Sequence, residues 1–175
     1  MTSKLRYLFF EWVIPVVAAV IITLLVQHFF LFMVTVPTGS MNPTIMEGDR
    51  LLVTRVYNLE RALHHGDVVV FDSAELNKLL IKRLIGLPGD HIEIEEDGTL
   101  YINGELFEEP YVKNPSRSGI KKTFDVPEGH YFFLGDNRAN SNDARMWKQP
   151  YIAASEVKAK AQFTLWPLNR IKVVQ

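Results

Sequence analysis

Residues 12–36 read WVIPVVAAVIITLLVQHFFLFMVTV, a run without Asp, Glu, Lys or Arg. As a helix this run would reach roughly 37 Å, at about 1.5 Å per residue, whereas the hydrocarbon core of a bilayer is about 30 Å thick. The milder interruptions at Pro15, Thr23, Gln27 and His28 are tolerated in a spanning helix. The run therefore predicts a membrane anchor helix over residues 12–36.

The charges around this run predict its orientation. Lys4 and Arg6 precede it, and the next Lys or Arg is Arg50. The positive-inside bias then predicts a cytoplasmic segment over residues 1–11 and an extracytoplasmic domain over residues 37–175. The alternative is a cleavable secretory signal peptide, whose apolar core is usually about 7–15 residues long and ends in small residues. Because this run is longer and ends in phenylalanines, we expect a retained single-pass anchor.

The composition restricts the remaining possibilities. The 175-residue chain has a formal charge of −1 and no basic block, so nothing predicts a nucleic-acid partner. It has no cysteine, which excludes disulfides, a thiolate nucleophile and a cysteine metal site. We expect one modest domain after the anchor, stabilised by its packed core, and no metal or organic cofactor.

The chain after the anchor has the pattern of β structure. Short runs rich in branched and aromatic residues, most of them bounded by turn residues, are typical of strands. These runs are Arg50–Tyr57, Asp67–Phe71, Leu79–Ile85, His91–Glu95, Thr99–Ile102, His130–Leu134 and Ala161–Trp166. They predict a mostly β fold, in which the anchor helix is followed by a domain of antiparallel, barrel-like sheets.

The turn signals divide this domain further. Asp97-Gly98 and Asn103-Gly104 are strong hairpin signals and predict a meander over residues 91–107. The composition of Asn114–Lys122 is that of an exposed loop, and Asp72–Lys78 has room for one helical turn. We therefore predict a small peripheral β extension at about residues 91–130.

Directly after the apolar run comes Pro37-Thr38-Gly39-Ser40-Met41-Asn42-Pro43-Thr44. Prolines at both ends restrict the backbone, and Gly39 lets a second backbone approach closely. Ser40 is thus a candidate nucleophile at the membrane surface, provided that a base removes its proton. Without such a base the run is a juxtamembrane turn.

The histidines are poor candidates for that base. They fall in the apolar run, in a polar turn and at strand starts, as His28, His64, His65, His91 and His130. None has the context of a catalytic triad, and the chain has no Gly-x-Ser-x-Gly elbow. We interpret them as ordinary polar residues.

Lys82 is the better candidate, because it lies in the apolar run Leu79–Gly86. Alternation along a strand directs Lys82 and Arg83 to opposite faces, so at least one cation points toward a packed side. Burial of an ammonium group among apolar walls lowers its pKa, by roughly three units if the amine is to act near pH 7–8. Spacing alone also fits a lysine that snorkels at a sheet edge.

A third element is the polar run Gly135–Arg145. In extended chain its Ser141, Asp143 and Arg145 share one face, which places a hydroxyl beside an acid and a base. A hydroxyl can hold a neutral amine in line, and an acid–guanidinium pair can brace the loop. Alone this pattern is weak, since turns with surface charges are common.

Taken together and in order, these segments closely resemble the bacterial type I signal peptidases. The resemblance extends from the anchor to at least Arg145, and the hairpin Leu100–Gly104 also fits it. It is carried by the runs Gly39–Thr44, Gly48-Asp49, Gly66–Phe71, Lys82–Asp90 and Gly135–Arg145. It implies a membrane-bound serine endopeptidase that removes signal peptides from exported preproteins at Ala-x-Ala-type sites, on the outer face of the bacterial cytoplasmic membrane. Its partners would be such preproteins, the bilayer and, functionally, the export translocon.

The resemblance also implies roles for individual residues. Ser40 would be the nucleophile and Lys82 the general base and later general acid, with Ser141 orienting the Lys82 amine. The Ser40 N–H and the Thr38 hydroxyl would stabilise the oxyanion. Structural ion pairs would be Arg83 with Asp136 and Asp143 with Arg145, and the pocket for small side chains would be formed by Val36, Met41, Ile45 and Ile81. The chain departs from the family at Ala144, where serine is usual.

Two other interpretations of the sequence remain. A self-cleaving protein of the repressor type would also use a serine nucleophile and a lysine base. The anchor and the lack of a DNA-binding basic domain count against this interpretation. A catalytically silent anchored β domain would need Ser40 or Lys82 to be dispensable. Near the C-terminus, Phe163, Leu165 and Trp166 form either an apolar edge against lipid or part of the core.

Overall fold

The computed structural model describes residues 7, 9–113, 115 and 119–174. The chain divides into two compact units, one up to Phe32 and one from Met33 onward. In the first unit a π-helical turn, Phe9–Val13, continues into helix α1, Ile14–Phe29. The segment Phe9–Phe29 is long and apolar enough to cross a membrane, and none of its described residues is buried.

The helix boundaries differ from the predicted range of 12–36. The regular helix ends at Phe29, where the Phe30 N–H donates to the Val26 carbonyl, and Leu31–Thr35 form strand β1. An apolar run rich in branched residues is compatible with a helix and with a strand. The end of the helix at Phe29 could therefore not be predicted from this run. Lys4 and Arg6 lie outside the described residues, and the predicted orientation remains a prediction.

The main sheet has eight antiparallel strands. Their order is β1-β2-β11-β3-β4-β9-β10, and β12 pairs with β11. Their bounds are Leu31–Thr35 (β1), Arg50–Arg55 (β2), Val68–Ser73 (β3), Lys78–Gly86 (β4), His130–Leu134 (β9), Tyr151–Ala153 (β10), Val157–Trp166 (β11) and Lys172–Val173 (β12). Between β2 and β3 lies a single helical turn, α2, Leu59–Ala62.

The β3–β4 hairpin carries two basic residues, Lys82 and Arg83, on its second strand. Its register places Val69 opposite Lys82 and Val68 opposite Arg83. The predicted helical turn at Asp72–Lys78 is wrong, because residues 74–77 form the hairpin connection and Asn77 takes a positive φ of 48°. Asparagine tolerates this left-handed conformation better than most residues do, and this allows the chain to reverse direction there.

The second sheet is the predicted peripheral extension. Its strand order is β7-β6-β5-β8, with β5 at His91–Ile94, β6 at Leu100–Ile102, β7 at Glu105–Leu106 and β8 at Lys122–Asp125. Asn103 and Gly104 both have positive φ, as a tight hairpin turn requires. In the segment predicted as a loop, Asn114 and residues 116–118 lie outside the described residues, and β8 begins at Lys122.

The two sheets share one hydrophobic core. Phe71 of β3 and Phe133 of β9 stack with ring centroids 4.3 Å apart, and Ile92 of β5 is fully buried with them. At the end of β4, a Cβ atom on Gly86 would lie 2.8 Å from the Val126 side chain, so only glycine fits there. The mostly β, antiparallel fold class is thereby confirmed.

Candidate active site

Ser40 lies in a short 3-10 turn, Gly39–Met41, just after β1. The chain before the turn is held by two backbone hydrogen bonds, Val36 N–H to the Asp49 carbonyl at 2.9 Å and Gly48 N–H to the Val36 carbonyl at 2.8 Å. Met41 is buried beneath the turn. These contacts hold the backbone that carries Ser40 in place.

Lys82 of β4 meets Ser40 directly. Its side chain is 3% exposed, and its Nζ donates a hydrogen bond to Ser40 Oγ. The Thr38 hydroxyl lies 3.4 Å from the same Ser40 oxygen. The structure thus brings together three of the residues for which the sequence predicted catalytic roles.

The surroundings of Lys82 favour its neutral form. Burial is the largest influence and lowers the pKa of the amine from 10.5 to about 8. The negative charges of Asp143 and Asp136 oppose this shift, and the positive charge of Arg145 adds to it. An amine with a pKa of about 8 is half deprotonated at that pH, and its neutral form can accept a proton from Ser40.

The loop after β9 holds the Ser40 turn in place. The Asn137 backbone N–H donates to the Ser40 carbonyl at 3.0 Å, and Asn137 Nδ2 donates to the Gly39 carbonyl at 3.1 Å. A Cβ atom on Gly135 would lie 2.6 Å from the Ser40 carbonyl oxygen, so the two backbones touch. The loop and the turn therefore form one unit.

Ser141 lies next to this contact but does not meet the Lys82 amine. Its side chain is buried, and its Oγ has no hydrogen-bond partner at proper geometry among the residues that the structure describes. A Cβ atom on Gly135 would lie 2.2 Å from that oxygen. Packing against Gly135 thus fixes the hydroxyl, and the expected orienting contact with Lys82 is not formed here.

The predicted ion pairs are both present, and the pair between Arg83 and Asp136 is fully buried. Arg83 donates to Asp136 through Nε at 2.8 Å and through Nη2 at 2.6 Å, and its Nη1 donates to the Gly66 carbonyl at 2.5 Å. Arg145 donates to Asp143 at 2.8 and 2.9 Å. Burial would raise the pKa of Asp143, but the Arg145 hydrogen bonds and charge outweigh it and lower the pKa.

Two cavities flank the dyad. One of about 490 Å³ is lined by Ser40, Lys82 and mainly apolar side chains, including Val36, Met41 and Ile81. The other, about 420 Å³, includes Thr38, Ser40, Lys82, Asn137, Asn140 and Asn142.

Ile45 is the exception among the predicted pocket residues. It is fully buried, its N–H donates to the Met41 carbonyl at 2.9 Å, and it lines neither of these cavities in the described part of the chain. It therefore supports Met41 from below. A larger cavity of about 650 Å³, beside Tyr57 and Tyr131, includes neither Ser40 nor Lys82 and carries no part of this chemistry.

Several residues that surround the dyad could not be recognised from the sequence. Asn137 and Arg138 stood in the quoted Gly135–Arg145 run but had no role assigned to them. Glu109 and Tyr111 gave no signal at all, because their contacts with Arg138 and Arg83 join residues far apart in the chain. Ala144 is buried in the core near Trp147, where its methyl group packs.

Comparison with known proteins defines the class of the chain. Residues 9–166 match the sequence model of the family described as "Signal peptidase, peptidase S26". Together with the β fold, this match defines a serine peptidase of the signal peptidase I type. The chain belongs to the signal peptidase family, peptidase S26.

Individual relatives agree with this family assignment. The chain is 40% identical over 180 residues to signal peptidase I of Bacillus licheniformis, covering 98% of this chain and 95% of the relative. It is 36% identical over 173 residues to signal peptidase I T of Bacillus subtilis (94% and 89%), and 35% identical over 179 residues to signal peptidase IB of Staphylococcus aureus (93% and 92%). A crystal structure of a signal peptidase I from Enterococcus faecalis has 34% identity and a TM-score of 0.49, covering 56% of this chain and 95% of that chain.

Proposed function

We propose that this protein removes N-terminal signal peptides from exported preproteins by means of a Ser40–Lys82 dyad. The single observation that carries the proposal is the hydrogen bond from a buried lysine amine to the Ser40 hydroxyl. The depressed pKa of this amine suits a general base at neutral to mildly alkaline pH.

The proposed reaction has two halves. Ser40 Oγ attacks the scissile carbonyl carbon while Lys82 takes the hydroxyl proton, and the proton then passes to the leaving amine of the mature protein. The acyl-enzyme that remains is hydrolysed by water. Lys82 accepts a proton from this water as its oxygen adds to the acyl carbon, and it returns the proton to Ser40 Oγ as the ester bond breaks. The signal peptide leaves with a new C-terminal carboxyl group, and both Ser40 and Lys82 are regenerated. The Ser40 N–H and the Thr38 hydroxyl stabilise the oxyanion in both halves.

The apolar cavity beside Ser40 supports a preference for small side chains. Val36, Met41 and Ile81 line it, and a shallow apolar pocket of this kind selects mainly by excluding bulk. Cleavage after Ala-x-Ala-type sequences is the specificity that we propose.

The location proposed for this reaction is the outer face of the cytoplasmic membrane. The apolar helix Phe9–Phe29 would hold the enzyme in the bilayer plane, where a preprotein leaving the translocon is tethered by its own signal. Shared anchoring raises the effective concentration of the cleavage site. Phe163 and Trp166 are 42% and 49% exposed and Leu165 is half-buried, which favours the lipid-facing alternative over the core for the first two.

The test is cleavage of an Ala-x-Ala preprotein in detergent by the full chain and its variants. We expect Ser40→Ala, Lys82→Ala and Lys82→Arg to abolish turnover, whereas Ser155→Ala and Lys172→Ala, at exposed positions, keep it.

In the wild type, kcat/KM should rise with pH through a limb near pH 8, because only the neutral amine accepts the proton. Retained turnover in Lys82→Ala, or self-cleavage without cleavage of the preprotein, would refute the proposal.

A further inference from the structure

The segment Glu109–Tyr111, here called the strap, crosses the ion pairs beside the dyad. The Tyr111 ring lies over Arg83, with its centroid 3.6 Å from the guanidinium carbon. The Tyr111 hydroxyl donates to Glu109 Oε1 at 2.9 Å. Glu109 in turn accepts hydrogen bonds from both terminal nitrogens of Arg138. The strap thus joins two arginines that belong to different parts of the chain.

The contacts of the strap are inside the protein. The Glu109 and Arg138 side chains are 10% and 4% exposed, and burial raises the pKa of Tyr111. A charge pair shielded in this way holds its geometry more firmly than a pair at the surface, where solvent competes. Removing one partner leaves the other charge buried without compensation.

One end of the strap connects to the Ser40 turn. Arg138 Nε donates to the Gly135 carbonyl at 3.0 Å, while the Gly135 N–H donates to Asp143 at 3.0 Å. Gly135 touches the Ser40 carbonyl, which also accepts the Asn137 N–H. The Glu109–Arg138 pair therefore fixes the loop that supports Ser40.

The other end connects to the base. Arg83 follows Lys82 directly on β4, and its guanidinium is bound at the edges by Asp136 and the Gly66 carbonyl. The Tyr111 ring covers the face of that guanidinium. The strap consequently restrains both segments whose relative position sets the distance between Lys82 Nζ and Ser40 Oγ.

We propose that Glu109 and Tyr111 are positioning residues for peptide-bond cleavage, which they support through Arg138 and Arg83. This inference rests on the proposed dyad function. In the described part of the chain the strap lines neither cavity beside Ser40, so its loss should affect the chemical step more than substrate binding.

The experiment compares kcat and KM of the detergent-solubilised full chain and four variants on an Ala-x-Ala peptide. Glu109→Gln and Tyr111→Leu should lower kcat roughly 10-fold to 100-fold, since a small misplacement of catalytic groups costs that much. Tyr111→Phe keeps the ring over Arg83 and should lose less than Tyr111→Leu. Glu108→Gln is the matched control, because Glu108 is the adjacent, exposed carboxylate.

The pH profile separates positioning from a general loss of folding. Lys82 faces Asp136, Asp143 and Arg145, and its amine also contacts Ser40. Arg138 faces Asp143 as well as Glu109, so removing the Glu109 charge makes the surroundings of the carboxylate shared with Lys82 more positive, which disfavours the ammonium form of Lys82. The acid limb of Glu109→Gln should therefore move to lower pH, whereas that of Tyr111→Phe should stay.

Thermal midpoints are measured for every variant, and activity is assayed well below the lowest midpoint. The inference is overturned if Glu109→Gln and Tyr111→Leu keep the wild-type kcat while Ser40→Ala and Lys82→Ala abolish cleavage. It is overturned as well if the loss of kcat follows the loss of folded protein and the acid limb does not move. Cleavage by Lys82→Ala would instead refute the dyad itself.

Discussion

At the scale of the residue, folding buries the Lys82 amine, although its ammonium form is more stable in water. Lowering its pKa from 10.5 to about 8 corresponds to about 3 kcal/mol by which folding disfavours the ammonium form. The nearby charges of Asp143 and Asp136 reduce this cost but do not cancel it. The proposed role of Lys82 as a base and the stability of the fold are thus opposed at this one side chain.

This opposition predicts that Lys82→Met stabilises the protein while it abolishes cleavage. The folded-state pKa lies below the unfolded one, so the penalty is complete below about pH 8 and disappears as the pH rises toward 10.5. We expect a gain of about 1–3 kcal/mol at pH 7, because an apolar side chain of similar length fits the buried site. Unfolding in urea at pH 7 and pH 10.5 measures it, with Lys172→Met as the exposed control. A variant that is less stable than the wild type at pH 7 would contradict this.

At the scale of the element, the connection between β4 and β5 joins the two sheets through one carboxylate. Asp90 accepts hydrogen bonds from the Leu87 N–H at 2.7 Å and from Asn103 Nδ2 at 2.8 Å, and it lies 2.7 Å from His65 Nε2. Burial would raise the pKa of Asp90, but these hydrogen bonds, with His65 foremost, lower it. The connection between the sheets is therefore itself dependent on pH.

We predict that Asp90→Asn lowers the free energy of unfolding by about 1–3 kcal/mol near neutral pH, where a charged acceptor is lost. Because the folded-state pKa of Asp90 is depressed, its contribution is present above the unfolded value of 3.8 and is lost as the pH falls through the folded value. The difference from wild type should therefore shrink in acid. Denaturant titrations at pH 7 and in acid measure it. Asp97→Asn, in an exposed turn, is the control, since asparagine can still accept the Thr99 N–H.

Elements differed in how far the sequence could predict them. β4 and β9 were recognisable because branched and aromatic residues fill them, and the Asn103-Gly104 turn because its positive φ values require such residues. The strand β1 could not be predicted, since apolar composition alone does not separate the end of an anchor helix from an edge strand. β10 has only three residues, too few for a periodic pattern.

At the candidate active site, too, residues with local sequence signals could be predicted, whereas residues brought together only by folding could not. Ser40, Lys82 and Arg83 were selected by their neighbours in the sequence, and the structure brings them close to Asp136. Glu109 and Tyr111 went unnoticed because folding alone brings them near Arg138 and Arg83. Ser141 was expected to orient the Lys82 amine, but its hydroxyl packs on Gly135 and makes no hydrogen bond to that amine.

At the scale of the whole molecule, the two units differ completely in what they expose. The helical unit has only exposed residues over Phe9–Phe29, nearly all apolar. The β unit has a packed core but leaves a group of apolar side chains exposed toward the C-terminus, at Phe163, Trp166, Leu168, Ile171 and Val173. Such a group fits the contact with lipid that the proposed function at the membrane would involve.

We predict that a chain beginning at Phe30 keeps the β fold but loses firm membrane attachment. The full chain should remain in the membrane fraction after an alkaline wash, whereas the shortened chain should bind vesicles only weakly. Its turnover of a short soluble peptide should stay near the full-chain value, while its cleavage of a vesicle-anchored preprotein should fall, since the shared anchoring is gone. Equally firm attachment of the shortened chain would show that the C-terminal apolar side chains suffice.

The alignment of β3 with β4 makes the proposed Ser40–Lys82 dyad sensitive to a slip of one position. Lys82 and Arg83 are neighbours on one strand and reach different partners, Ser40 and Asp136. If β4 slipped by one residue so that Arg83 took the place of Lys82, a guanidinium would face Ser40. This group keeps its proton at any pH where proteins fold. The backbone ladder would be nearly as complete, yet the product would be inert. Insertions should accordingly be harmless in the connection at residues 74–77 and fatal within the strand that follows it.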